Sequence, residues 1–134
     1  MTSTRNSRIA AMAAGGVLAL TAALGSGAGA ASAGERAWAG CERGEICVYS
    51  GPGGTGTRCD WYPDDPDWLT GAETCTIRVR SIWNNGEAGG FDDVKFYFDT
   101  DYRNYYACAR NQWRGETGPD AGVKLRSHRW SKTC

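Results

Sequence analysis

Residues 96–104 (FYFDTDYRN) repeat the spacing of aromatic and turn residues that residues 48–56 (VYSGPGGTG) show earlier in the chain, at an offset of 48. A second matching pair follows in the same order, because residues 77–81 (IRVRS) correspond to residues 123–127 (VKLRS) at an offset of 46. Two matching blocks in one order indicate that a single supersecondary unit occurs twice. Each copy is then expected to cover the apolar face of the other.

Short alternating patterns predict that each unit is built from β-strands. Val94, Phe96 and Phe98 occupy every second position, which is the period of a strand with one buried face. Residues 77–80 and 123–126 alternate apolar and basic residues, which predicts half-buried strands with basic outer faces. We therefore predict an all-β sandwich of two Greek keys, stapled by disulfides, with key one at about residues 41–86 and key two at about residues 93–134.

The amino-terminal residues 1–33 have the features of a secretory signal peptide. Two arginines precede an apolar region rich in alanine and leucine, and Ala31-Ser32-Ala33 forms a small-residue cleavage site. A membrane anchor is the alternative, but Gly15 and Gly16 weaken a stable span and no second apolar segment follows. We expect cleavage after residue 33, secretion, and one extracellular domain at residues 34–134.

The charge balance argues against several classes of partner. Of the fifteen basic and fifteen acidic residues, cleavage removes two arginines and no acidic residue, which leaves a formal net charge of −2. A mildly acidic chain has little electrostatic attraction for nucleic acid or for anionic lipid. We expect the mature chain to be a monomer that binds neither nucleic acid nor membrane.

The cysteines predict a disulfide framework. All six lie within the expected mature chain: Cys41, Cys47, Cys59, Cys75, Cys108 and Cys134. An even number in a small exported chain predicts three disulfides, although six cysteines allow fifteen pairings. Proximity favours Cys41–Cys47, and the equivalent places of Cys59 and Cys108 in the two units favour Cys59–Cys75 and Cys108–Cys134. Zinc is the competing use of cysteine, but the chain has no C-x-x-C pair and one histidine.

The second unit resembles the βγ-crystallin motif in the stretch Tyr97-x4-Tyr102-x-Asn104. In that motif the aromatic residues stack on a folded hairpin, and the last position takes a positive φ that glycine favours and asparagine tolerates. The first unit keeps the spacing as Tyr49-x4-Gly54-x-Gly56 but lacks the second aromatic residue. This resemblance implies a βγ-crystallin-like sandwich.

The chain is also similar to the secreted bacterial peptidase inhibitors of the Streptomyces metalloproteinase inhibitor type, family 36. The likeness rests on Cys41-x5-Cys47 directly before residues 48–51 (VYSG), on two keys within residues 34–134, and on the ending at residues 123–127. It implies an inhibitor of an extracellular protease, in particular a thermolysin-like metalloprotease, that acts through an exposed, substrate-like loop.

The resemblance assigns this inhibitory loop to Cys108, Ala109 and Arg110. A disulfide there reduces the entropy lost on binding and limits the separation of cut ends. The family's characterised inhibitor closes the loop with a second cysteine five residues further on, where this chain has Trp113. If Ala109 is exposed, Ala109→Leu is expected to fill an apolar protease pocket better and to tighten binding. The alternative is that Cys108 serves only as a structural staple.

No constellation of residues predicts catalysis, a cofactor or a metal. The lone histidine, His128, is expected on the solvent-facing side of a strand, and adjacent carboxylates such as Asp92-Asp93 point to opposite faces. The calcium motif of microbial βγ-crystallins falls on residues 76–81 and 122–127, but both lack its acidic or amide pair, and an arginine replaces an oxygen ligand in each. We therefore expect no enzyme activity, no cofactor and no metal ion.

The six tryptophans are the basis of an alternative function. Trp83 and Trp130 fall on repeat positions and are expected in the core or at its corners. The other four are expected in or near loops: Trp38, Trp61, Trp68 and Trp113. Exposed rings of this kind serve interfaces, and stacking on sugar rings would make the chain a secreted carbohydrate or cell-wall binding module instead of an inhibitor.

Overall fold

The computed structural model describes residues 37–134, and this part of the chain is all-β with almost no helix. Seven short strands follow in chain order: β1 (Ile46–Tyr49), β2 (Arg58–Trp61), β3 (Ser81–Asn84), β4 (Asp93–Tyr97), β5 (Tyr105–Ala109), β6 (Arg114–Glu116) and β7 (Ser127–Ser131). They form two antiparallel sheets, ordered β2-β1-β3-β6 and β5-β4-β7. A single 3-10 turn at Pro52–Gly54 follows β1.

The predicted signal peptide lies outside the described residues, as does its cleavage site. Within residues 37–134, no helix is long and apolar enough to cross a membrane.

The two halves of the chain pair their strands in the same way. β1 pairs with β2 and β3, and β4 pairs with β5 and β7. Each half also extends the sheet of the other, because β6 pairs with β3, whereas Asp65 forms an isolated antiparallel bridge with His128 of β7. The internal repeat in the sequence therefore has a counterpart in the strand pairing, and the exchanged segments tie the halves together.

A folded corner follows the first strand of each half. The backbone φ is positive at Gly54 (73°) and Gly56 (81°), and also at the matching positions Tyr102 (58°) and Asn104 (55°). Only glycine adopts this conformation without a steric penalty, and asparagine is among the side chains that tolerate it best. The positive φ predicted for Asn104 is confirmed.

A buried serine ties each corner to the closing strand of its half. Ser81 in β3 and Ser127 in β7 have no exposed surface. The Ser81 hydroxyl donates to the Gly51 carbonyl (2.7 Å) and accepts from the N–H of Gly54 (2.9 Å). In the same way, the Ser127 hydroxyl donates to the Asp99 carbonyl (2.6 Å) and accepts from the N–H of Tyr102 (3.2 Å). These contacts explain why the two sequence blocks recur together, since one block forms the corner and the other holds it.

Both sheets contribute to one buried cluster. β1 and β4 supply four of its side chains that have no exposed surface: Ile46, Val48, Val94 and Phe96. Trp68 is also fully buried and stacks on Trp61 at a centroid distance of 4.7 Å. Trp61 is 4% exposed, so two of the tryptophans expected to be available in or near loops belong to the core instead. Their size is the physical reason, because a domain this small buries its largest rings to obtain enough apolar contact.

The strands predicted at residues 77–80 and 123–126 are not formed, apart from one isolated bridge. Residues 77–80 and 123–126 precede β3 and β7, and one isolated bridge between Val79 and Val123 joins them, with N···O distances of 2.7 and 2.8 Å. Strand pairing between these two segments does not extend to Arg80, because the Arg80 carbonyl accepts hydrogen bonds from the backbone N–H and the hydroxyl of Thr117. Val79 and Leu125 are nevertheless buried, whereas Ile77 and Val123 are half-buried and pack against the core.

The three predicted disulfides are confirmed: Cys41–Cys47, Cys59–Cys75 and Cys108–Cys134. None of the cysteines in the described part of the chain is free. Each bridge lies within its own half, as the repeat indicates. A disulfide of this kind contributes about 2–4 kcal/mol, mainly by restricting the unfolded chain, so together they offset the limited core of a small domain.

The prediction that His128 lies on the surface is wrong, because its side chain is fully buried. Nδ1 accepts a hydrogen bond from the indole N–H of Trp68 (2.9 Å), and Nε2 therefore carries the proton and donates to the Pro63 carbonyl (3.0 Å). Burial lowers the pKa of His128 to about 4. The segment that bridges β7 at Asp65 covers the histidine, and this long-range pairing is not encoded in the local strand pattern.

Candidate functional site

The segment that resembles an inhibitory loop lies at the end of an edge strand. Cys108 and Ala109 are the last residues of β5, where they pair with Lys95 and Val94 of β4. Ala109 is 1% exposed and packs into the core, Cys108 is half-buried, and Arg110 is exposed. The expected exposure of Ala109 is therefore wrong. Alternate side chains of a strand face opposite directions, and Ala109 takes the inward face.

The carbonyl group of Ala109 is also enclosed. Asn84 is fully buried, and its Nδ2 donates to the carbonyl oxygens of Ala109 (2.9 Å) and Asp92 (2.8 Å). Its Oδ1 accepts from the N–H of Gly86 (2.9 Å). A protease that attacked this carbonyl would have to break a buried hydrogen bond, so the accessible part of the region begins at Arg110.

A tight turn, residues 110–113, connects β5 to β6 and is called the β5–β6 turn below. The N–H of Trp113 donates to the Arg110 carbonyl (2.9 Å), and Gln112 has a positive φ of 61°. The Trp113 carbonyl accepts from the N–H of Asn84 (2.9 Å), which ties the turn to β3. Arg110 and Gln112 are exposed, and Trp113 is 42% exposed. The turn therefore presents a basic and an aromatic side chain to solvent.

Polar contacts hold the β5–β6 turn against the connector between the two halves. Asn111 Nδ2 and Gln112 Nε2 both donate to the Gly86 carbonyl oxygen, at 2.9 and 2.8 Å, an arrangement called the amide clamp below. Asp93 adds a second link, since its Oδ1 accepts from the N–H of Asn111 (3.0 Å) and its Oδ2 from that of Cys134 (2.8 Å). The turn is thus anchored to the connector and to the carboxyl-terminal disulfide, although Trp113 replaces the second loop cysteine.

A basic aromatic patch adjoins the turn in sequence. The Arg114 guanidinium lies 5.8 Å from the ring centroid of Trp38 and 5.6 Å from that of Trp83. The two tryptophans meet edge to face at 6.2 Å. Cation–π contacts at exposed sites contribute about 0.5–1 kcal/mol each, so the two rings favour this position of the guanidinium.

Two clusters combine a carboxylate with two cysteines: Cys41, Glu45 and Cys47, and Asp93, Cys108 and Cys134. The cysteines of both clusters are joined in disulfides and offer no thiolate ligand. Neither cluster is therefore a candidate metal centre.

The sequence model of peptidase inhibitor family I36 matches residues 34–109, which is more than half of the chain. The chain belongs to peptidase inhibitor family I36. The match ends at Ala109, so the β5–β6 turn of this I36 protein follows directly after the matched residues. No curated protein matches the chain significantly. Family membership supports a role as a peptidase inhibitor, whose partner is a protease.

The loop tryptophans of the I36 protein divide into two groups. Trp61 and Trp68 are enclosed in the core and offer no face to a sugar or a protease. Trp113 is exposed, and Trp38 is half-buried against Tyr49 and the tryptophan of β3. The carbohydrate-binding alternative therefore loses two of its four proposed rings, whereas Trp113 remains available beside the candidate inhibitory segment.

Sequence reasoning missed the residues that hold the turn. In the sequence, Asn84-Asn85-Gly86 has only the pattern of a turn, yet Asn84 and Gly86 form the buried support beneath residues 109–112. The contacts join residues 25 and 26 positions apart. A pair of amides next to the loop was the only local signal, and amides of this kind are common on surfaces.

Proposed function

We propose that this I36 protein is a secreted inhibitor of a thermolysin-like metalloprotease, and that the β5–β6 turn enters the protease cleft. The observation that carries the proposal is Trp113, a large aromatic side chain exposed on a turn that the amide clamp holds in place. A preorganised segment loses less entropy on binding than a flexible one. Exposed tryptophan and arginine side chains are the types that dominate binding energy at interfaces.

The Trp113 ring suits an apolar protease pocket better than Ala109 does. A tryptophan side chain buries about 150–250 Å² in an interface, several times what an alanine methyl offers. The ring lies over Gly115, where an added Cβ would come within 2.6 Å of it. The backbone beneath the ring therefore limits its movement, and Arg110 supplies a positive charge at the start of the same turn.

The segment of Cys108, Ala109 and Arg110 keeps a role in this proposal, divided among its residues. Cys108 anchors the turn through its disulfide to Cys134. Ala109 fixes the end of β5 in the core. Arg110 is the first residue that a protease can reach. The substrate-like bond would then lie within the turn and not before Ala109.

Inhibition constants measured against a protease panel test the proposal. The panel contains a thermolysin-like metalloprotease, a trypsin-like serine protease and a papain-like cysteine protease. Trp113→Ala should weaken inhibition of the metalloprotease at least about tenfold, because a central aromatic contact is lost. Phe98→Ala is the matched control, since Phe98 is also 42% exposed and lies after β4, and it should leave the inhibition constant unchanged.

Two results would contradict different parts of the proposal. Inhibition of only the serine or the cysteine protease would show that the target class is wrong. Equal effects of Trp113→Ala and Phe98→Ala would show that the β5–β6 turn is not the contact surface. Thermal unfolding of both variants separates loss of binding from loss of folding.

The proposal includes the route by which the protein reaches its target. Residues 1–33 act as a cleaved leader, and residues 34–134 form one monomeric extracellular domain. Three disulfides support an oxidising compartment. Amino-terminal sequencing of the secreted protein should begin at Gly34, and sedimentation should give the mass of a monomer.

The proposed fold is a βγ-crystallin-like sandwich of two Greek keys. The exchange of β6 and of the Asp65 bridge between the sheets supports this assignment, as do the paired contacts of Ser81 and Ser127. No residue is proposed to be catalytic, and His128 in particular is enclosed with both ring nitrogens hydrogen-bonded.

A further inference from the structure

The bridge between Cys108 and Cys134 is the most accessible of the three disulfides. In each of the other two bridges, one cysteine is at most 2% exposed, and its partner is buried or packs against the core. Cys108 is half-buried, and Cys134 is the only exposed cysteine within residues 37–134. Because thiol–disulfide exchange requires access to a sulfur atom, a reductant in solution reaches this bridge before the others.

This bridge lies outside the packed core. Cys108 pairs with Lys95 of β4, and its side chain takes the strand face opposite to the buried Ala109. In the described part of the chain, the core cluster includes the Cys59–Cys75 bridge but neither Cys108 nor Cys134. The two sheets therefore keep their packing when the accessible bridge opens.

The same bridge fixes one side of the β5–β6 turn. Cys108 lies two residues before Arg110, where the turn begins. Asp93 connects the bridge to the turn, since its Oδ1 accepts from the N–H of Asn111 (3.0 Å) and its Oδ2 from that of Cys134 (2.8 Å). One oxygen of this carboxylate and the two sulfur atoms all lie within 4.8 Å of one another. The bridge, the carboxylate and the turn are therefore one connected unit.

Opening the bridge releases Cys134 from β5. Cys134 follows β7, which ends at Ser131, and without the disulfide its link to Asp93 is one solvent-exposed hydrogen bond. A segment that is held by exposed backbone hydrogen bonds opens locally at little cost in free energy. The β5–β6 turn then depends on its contacts with the connector and with β3, and it is no longer held from the side of the disulfide.

We propose that the Cys108–Cys134 bridge is a thiol-sensitive switch that releases inhibition, an inference that rests on the proposed function of the β5–β6 turn. A thiolate of a dithiol reductant attacks Sγ of Cys134, and the electron pair of the broken S–S bond leaves on Sγ of Cys108. The second thiol of the reductant then displaces Cys134 from the mixed disulfide. The reductant becomes a cyclic disulfide, and its two protons pass to the two cysteine thiols.

Stepwise reduction tests the chemical half of the proposal. The oxidised protein is treated with increasing concentrations of dithiothreitol at neutral pH, free thiols are alkylated, and peptide mapping identifies the modified cysteines. Cys108 and Cys134 should be modified together, at a dithiothreitol concentration at least about tenfold below that which modifies any other cysteine. Circular dichroism of this selectively opened form should match that of the oxidised protein, because the core and the other two bridges are unchanged.

Inhibition of a thermolysin-like metalloprotease tests the functional half. The selectively opened, alkylated protein should inhibit at least about tenfold more weakly than the oxidised parent, because a mobile turn loses more entropy on binding. Cys108→Ser combined with Cys134→Ser should show the same loss and no response to the selective dithiothreitol concentration. Cys41→Ser combined with Cys47→Ser is the matched control, since it removes a bridge of the first half. Its inhibition constant should equal that of the parent at temperatures where thermal unfolding shows the variant to be folded.

The outcomes separate the switch from the proposed function. Recovery of inhibition after dithiothreitol is removed from unalkylated protein and the bridge reoxidises would support the switch. The switch is overturned if another bridge opens first, if all three open together, or if the selectively opened protein inhibits as strongly as the parent. If the oxidised parent inhibits no protease of the panel, the proposed function fails and the switch fails with it.

Discussion

His128 makes the stability of the protein depend on pH at the scale of a single residue. Its neutral ring accepts from Trp68 and donates to Pro63, and protonation of Nδ1 would abolish the first contact. Its folded-state pKa of about 4 lies below the ordinary value of 6.5. The unfolded chain therefore binds the proton more tightly, and the contribution of the neutral ring is complete above the ordinary pKa and is lost as the pH falls toward 4.

We expect the free energy of unfolding to fall by up to about 3 kcal/mol between pH 7 and pH 4 because of this histidine. Urea unfolding across that range measures the change. His128→Gln is the control, because its side chain does not titrate, and the difference between its profile and that of the parent isolates the imidazole. Parallel profiles for the two proteins would refute the prediction.

The burial of Ala109 limits which side chains the end of β5 can accept. Since its side chain is buried against the core cluster, Ala109→Leu should overpack the site and lower the free energy of unfolding by about 1–3 kcal/mol. Arg110→Leu, one residue later and exposed, should change it by less than about 0.5 kcal/mol. Urea denaturation of both variants decides the matter. A parent-like midpoint for Ala109→Leu would mean that this end of β5 opens in solution.

At the scale of elements, the β5–β6 turn depends on side-chain amides for its rigidity. Asn111→Ala combined with Gln112→Ala removes both donors of the amide clamp to Gly86. Each lost hydrogen bond costs about 0.5–1.5 kcal/mol, so the domain should remain folded while the turn becomes mobile. The double variant should then be cut within residues 110–113 by a thermolysin-like protease, as mass spectrometry of the digest would reveal.

Arg110→Ala is the control for this experiment, because it alters the turn and leaves the clamp intact. It should resist cleavage as the parent does. If the double variant is equally resistant, the disulfide at Cys108 is sufficient to hold the turn and the clamp has no protective role.

The alternation of apolar and polar residues predicts strands correctly in some segments and not in others. The alternation at residues 94–98 predicts a strand, and β4 spans most of it, because a strand with one buried face imposes that period directly. The same alternation at residues 77–80 and 123–126 predicts burial correctly but strand pairing only in part. Pairing requires a partner edge, and the loop at Thr117 occupies the adjacent carbonyl groups.

At the scale of the whole molecule, each half completes the sheet of the other. β6 covers the edge of β3, and the segment around Asp65 bridges β7 beside the buried histidine. A fragment that ends at residue 92 should therefore lack cooperative unfolding, even with its two disulfides formed, because four of the eleven buried residues of the core cluster are absent. Circular dichroism during heating of the fragment tests this, with residues 34–134 as the reference. A sharp transition in the fragment would show that one half folds alone.

Features that depend on neighbouring residues can be read from the amino-acid sequence. The repeat, the all-β class, the full oxidation of the six cysteines and the positive φ at Asn104 follow from spacing, from composition and from the steric preferences of single residues. The pairings Cys59–Cys75 and Cys108–Cys134 were favoured by the repeat, but the structure was needed to establish them. Family membership follows from the same spacing.

The accessibility of individual side chains depends on contacts between residues that are far apart in the sequence. His128 is buried by Trp68, 60 positions away, and Ala109 is held by Asn84, 25 positions away, so neither environment can be read from a local pattern. The burial of a side chain depends on how the two sheets and their exchanged segments pack together. The alternation of apolar and polar residues in a strand is the same whether or not a loop covers its outer face. For the same reason, the exposure of Trp113 and the burial of Trp61 depend on how the two halves pack against each other.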